Sequence, residues 1–125
     1  MIINLRNQNR LASKVHIADK SWSRTRGLLG QKVLTDDSAL VLYPCNQIHT
    51  YFMRFTIDCL FVALDSSDRF EVVYCIHNLK PWKMIRKVNG ANAVIELPEG
   101  MLAKTDTNIN DYIQIKGLKR KVDVE

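Results

Sequence analysis

No stretch of this 125-residue chain approaches the roughly twenty consecutive apolar residues of a membrane-spanning helix. Its first fourteen residues, MIINLRNQNRLASK, also lack the apolar core of a signal peptide. Glycine and proline number only five and three and are scattered, so no linker or low-complexity tract divides the chain, and no internal repeat is present. Three cysteines, Cys45, Cys59 and Cys75, cannot all pair within one chain, and none stands in a CxxC. Reduced thiols and the missing leader give the expectation of a soluble cytoplasmic protein, or an exported one if a leader precedes the sequence as written. GxGxxG, P-loop, GxSxG and HExxH patterns are all missing, which disfavours nucleotide hydrolysis and serine-hydrolase chemistry.

What is present suffices for one domain, residues 1–125, with a basic tail at 118–125. Hydrophobic residues make up 46% of the chain, enough for a real core. Eighteen basic against thirteen acidic residues leave a formal net charge of +5, which favours anionic partners without selecting one. The excess concentrates in LKPWKMIRK, residues 79–87, and KGLKRK, residues 116–121. Both read as a solvated loop and a basic tail before they read as a nucleic-acid or lipid surface.

Periodicity and turn residues give a coarse map. Residues 2–6 and 13–18 are expected as short strands joined by the NQN turn. SWSRTRGLLG, residues 21–30, is expected as a short helix capped by Ser21 or Asp19 and stopped by Gly30. A strand at 39–43 ends at Pro44. Residues 57–64 and 69–77 form a hairpin across DSSD, the clearest local signal. A strand at 91–97, a helical turn at 98–105 and a closing strand at 111–116 complete a mainly β fold, a compact β-sandwich or partly open barrel with two short helices.

The run IHTYFMRFTIDCLFVAL, residues 48–64, is apolar enough for a core yet carries His49, Thr50, Arg54, Thr56 and Asp58. Sorted by strand parity, Tyr51, Met53, Phe55, Ile57, Cys59 and Phe61 share one face. Thr50, Arg54, Thr56 and Asp58 share the other, which turns apolar at Leu60 and Val62. Such a segment runs from a rim into a core, with a break near residues 54–56 because strands rarely reach fifteen residues.

His49, Asp58 and Glu96 are the polar residues most at odds with their surroundings. A carboxylate in AVIELP needs a cation or hydrogen-bond donors, and Arg54, Lys83 or Arg86 are candidates. Two readings stay open. The acids either bond backbone amides and arginines that hold loops in place, or join His49 in one polar pocket that takes a ligand or does acid–base chemistry. Cys45, His49, Asp58, Cys75 and His77 are acceptable metal-ligand types, but their spacing matches no zinc pattern, so no metal or other cofactor is expected. Trp82, between Lys80 and Lys83, packs over the barrel mouth or stacks on a base or sugar whose phosphate the lysines take.

RTRGLLGQKVL, ALVLYPCNQIHTYFMRFTIDCLFVALDSSDRF, HNLKPW and AVIELPEGMLAKTDTNINDYIQI together resemble the family called domain of unknown function 192, over about residues 12–117. The resemblance implies a small β-rich, sandwich-like domain with no established enzymatic activity. Its recurrent polar positions correspond to Arg26, Gly27, His49, Thr50, Asp58 and Glu96. Asn110-Asp111 stands where the family commonly has Gly-Asp, a change that a left-handed asparagine accommodates.

The expected function is a noncatalytic binding or accessory module for a small anionic ligand or a protein partner. Its expected site comprises His49, Thr50, Arg54, Asp58, Glu96 and Trp82. The alternative is a metal-assisted or acid–base enzyme using His49, Asp58 and Glu96. Nucleic acid ranks last among the partners.

Overall fold

The computed structural model describes residues 1–18, 35–51, 53–66 and 68–116. Two long strands organise it. β6 (Ile57–Leu64) and β7 (Arg69–Leu79) form the expected hairpin, paired antiparallel from Ile57↔Leu79 to Leu64↔Phe70. The remaining strands of the main sheet are β1 (Ile2–Asn4), β2 (Arg10–Ala12), β3 (Lys14–Ala18), β4 (Ser38–Leu42), β9 (Ala93–Pro98) and β10 (Tyr112–Ile115). Their order is β2-β1-β10-β7-β6-β9-β4-β3. Two residues each of β5 (Ile48–His49) and β8 (Met84–Ile85) make a separate small sheet. One short helix, α1 (Met101–Lys104), follows β9.

The ends of this order fix its shape. β2 and β3 lie at opposite edges of the sheet, yet only Ser13 separates them in the chain. Successive Cα atoms are about 3.8 Å apart, so the sheet must roll until its edges meet. Asp37 staples the seam: its carbonyl accepts the Ser13 and Lys14 amides at 3.0 and 2.9 Å, and its carboxylate takes the Ser13 hydroxyl. β2 and β3 form no ladder with each other, so the roll stays an open barrel.

Rolling gives the sheet two apolar faces. Inside lie Ile2, Leu11, Val41, Leu60, Val62, Phe70, Val72, Ile95, Leu97, Ile113 and Ile115, with Leu102 of α1 plugging one end. Outside, Leu40, Leu42, Ile57, Cys59, Phe61 and Val94 are covered by Ile48, Met53, Leu79 and Ala91. These four come from two chain segments, 43–56 and 79–92, that form an outer layer around β5 and β8. Each large side chain so buried stabilises the fold by about 2 kcal/mol. The parity of residues 51–62 accordingly appears as a division between cores: Met53, Ile57, Cys59 and Phe61 face outward and Leu60 and Val62 inward.

The mainly β class and the helical turn near 98–105 match expectation. Three details differ. β1 pairs with β2, a strand hidden in what looked like the far side of a turn. β3 crosses to the other edge and runs parallel to β4. The short β5 and β8 carry too few residues to show any period. The helix expected at 21–30 lies outside the described residues.

A polar staple holds the other end of the roll. Buried Asn4 donates to Asp111 at 2.9 Å, and Arg6 Nε donates to the same carboxylate at 2.7 Å. Burial pushes the Asp111 carboxyl up, but the bonds from Arg6 and Asn4 outweigh it and hold it below the usual carboxylate range. Asn110 before it is left-handed, with φ of 76°, the conformation anticipated for the residue replacing glycine.

Candidate functional site

The polar residues singled out by sequence go to three places. Asp58 points to the inner face beside Leu97, its cross-strand neighbour. Its Oδ1 accepts the Asn78 amide at 2.9 Å and its Oδ2 the Leu102 amide at 2.8 Å. Gly100, at the N-cap of α1, has no side chain to satisfy that helix's amides, so Asp58 caps it from another strand. Both oxygens of a fully buried carboxylate are thereby occupied in tying β7 and α1 to β6.

Glu96 is one step along the same ladder and on the opposite face, across from Cys59 on one side and Leu40 on the other. Among the described residues it has no hydrogen-bond or ion-pair partner, and Arg54, Lys83 and Arg86 do not reach it. Burial alone pushes its carboxyl up to about 7. Burial, and then the neighbouring Glu96, push the Cys59 thiol well above its ordinary value, so Cys59 behaves as a small apolar residue. The sheet stands between Asp58 and Glu96, and no hydrogen bond or ion pair joins His49 to either. The structure does not bring the three into one pocket. Nor, among the described residues, does any group of three or more His, Cys, Asp or Glu come close enough to hold a metal ion.

His49, Thr50 and Trp82 do come together, on the outer layer. Thr50 is buried and acts as a bolt between β5 and the loop 80–83. Its hydroxyl donates to the Lys80 carbonyl at 2.7 Å and accepts the Lys83 amide at 2.8 Å. Its backbone N–H donates to the Lys83 carbonyl at 2.8 Å, and its carbonyl accepts the Trp82 amide at 2.9 Å. Trp82 is thereby held in the left-handed region, at φ of 67°, a conformation that costs a bulky residue about 1–3 kcal/mol and needs such fixing.

The bolt aligns rings. His49 stacks on Tyr51 with centroids 4.8 Å apart and planes 24° from parallel, and Tyr51 meets Trp82 at 6.0 Å. Ile48 and Ile85 turn to the core, so their neighbours His49 and Met84, paired across β5 and β8, turn to solvent. Trp82 is 60% and Met84 52% exposed. The result is a strip of Trp82, Tyr51, His49 and Met84, exposed except at half-buried Tyr51.

Charge is segregated onto the same layer. Segments 43–56 and 79–92 contain Arg54, Lys80, Lys83, Arg86 and Lys87 and no Asp or Glu. All five cations are exposed. The other described residues hold six basic and ten acidic side chains, so among the described residues the positive excess sits on this layer. Tyr51 and Met84 were missed by sequence reasoning. Tyr51 has core parity, and Met84 lay in a segment read as a solvated loop; only the pairing of β5 with β8 puts them beside His49 and Trp82.

Comparison with known proteins adds a family. The model of the family DUF192, described as uncharacterized ACR, matches residues 2–115. A UPF0127 protein of Thermococcus sibiricus is 31% identical over 121 residues, covering 90% of this chain and 73% of that protein. Two crystal structures share the fold. One is a protein of unknown function from Novosphingobium aromaticivorans, with TM-score 0.68, 20% identity, and 81% of this chain and 74% of that one covered. The other, from Sinorhizobium meliloti, carries a provisional name as a transcription regulator, with TM-score 0.70, 19% identity, and 83% and 82% covered.

Proposed function

Since the chain belongs to the uncharacterised family DUF192, whose membership brings a fold and no activity, we propose from its own residues that it is a noncatalytic recognition module for an anionic partner. The observation that carries this reading is the outer layer: five exposed cations without a carboxylate, beside a strip of fixed aromatic rings. A one-sign surface attracts and orients an oppositely charged partner, and rings held in place lose little entropy on contact. His49, Thr50, Arg54 and Trp82 belong to this site. Asp58 and Glu96 act from behind it, as a loop tie and as a buried acid.

Titration of the isotope-labelled protein with inorganic polyphosphate, followed by amide chemical shifts, tests the reading. Shifts should concentrate at residues 49–51 and 80–87, leaving the turn at 105–111 unmoved. Shifts spread evenly over all surface lysines, or none at all, would defeat it.

A further inference from the structure

The partner's chemistry can be narrowed, on the premise that the outer layer is the binding face. We infer that this face docks peripherally on an anionic lipid bilayer surface. A soluble polyanion would be met by the cations alone, yet both ends of the strip are apolar and exposed: Trp82 at 60% and Met84 at 52%, the latter turned to solvent by the β5–β8 pairing. A bilayer interface uses both kinds of group. Indole and phenol rings settle at headgroup level, an unbranched thioether reaches the acyl boundary, and Lys and Arg stay with the phosphates while their stems lie along apolar surface. No acid on the layer opposes negative headgroups, and each cation near such a surface strengthens binding about fivefold.

Single-stranded nucleic acid fits less well, because base stacking needs open ring faces, and His49 and Tyr51 each turn one face to the other. The docking is peripheral. Among the described residues no helix is long and apolar enough to cross a membrane, and the strip supplies side chains to the interface while its backbone stays in the β5–β8 pairing and the Thr50–Trp82 bond.

Cosedimentation with vesicles of phosphatidylcholine, with and without phosphatidylglycerol, tests the inference on the full chain. Pelleting is expected only with the anionic vesicles and should fade as salt rises. K80E/K83E should weaken it at least about twentyfold. W82A/M84A should weaken it about tenfold while leaving the polyphosphate shifts at 80–87 in place. In a W22F background, where Trp82 is the remaining tryptophan of two, emission should move to shorter wavelength on anionic vesicles. W82A/M84A pelleting like the unaltered protein would overturn the inference. So would single-stranded oligonucleotide bound more tightly than vesicles. Polyphosphate shifts without vesicle binding would sink the lipid assignment alone, and loss of both would sink the anionic face with it.

Discussion

Asp58 and Glu96 show how far two buried acids can diverge on one sheet. Asp58 meets two backbone amides at 2.8 and 2.9 Å, which replace the water it gave up. Glu96 meets no donor among the described residues, and burial raises its carboxyl from 4.5 to about 7. Because the folded protein then binds the proton more tightly than the unfolded chain, Glu96 contributes fully below about pH 4.5. Its contribution is lost as pH rises toward 7. The shift corresponds to about 3 kcal/mol. E96Q, neutral throughout, should match the unaltered protein near pH 4 and exceed its unfolding free energy by about 3 kcal/mol at pH 8, measured by urea denaturation. Parallel stability curves for the two proteins would contradict this account of Glu96. Both acids were visible in the sequence as polar residues in apolar runs. Their opposite faces were not, because that depends on which residue of β9 stands across from which residue of β6.

At the scale of elements, the informative unit is the junction of β5 with the loop 80–83. Sequence showed the two ends, HTYFM and KPWK, but not the thirty-residue gap closing through Thr50. A threonine in an apolar run reads as filler until its hydroxyl partners are known. T50V should keep the fold and lose about 2 kcal/mol, because the Lys83 amide and Lys80 carbonyl then lack their partner. The Lys83 amide should exchange with solvent distinctly faster, by hydrogen exchange, as the loop opens locally. T50S retains the hydroxyl and should stay near the parent; equal behaviour of the two variants would show that the bolt is unimportant. The hairpin of β6 and β7 lies at the other extreme of legibility. Alternation, length and the DSSD turn all pointed to it, since its stability comes from neighbours in the chain. β2 and β3 depend on a rolled sheet for their partners, and their sequences of three and five residues could not announce opposite edges.

For the whole molecule, rolling the sheet leaves one layer to carry both its outer core and, among the described residues, the positive excess. The seam at Asp37 and the staple at Asp111 tie Ser13, Asn4 and Arg6 into internal bonds. The mainly β class was legible from many short apolar runs; the location of the proposed site was not, because the charged residues had to be mapped onto a surface before their sign meant anything. The most direct test is a pair of charge-matched variants on a polyanion column: K80E/R86E on the outer layer and K104E/K116E elsewhere on the exposed surface. Each changes net charge equally. The first should elute at much lower salt than the parent and the second close to it; equal displacement of both would mean that only total charge matters and that there is no binding face.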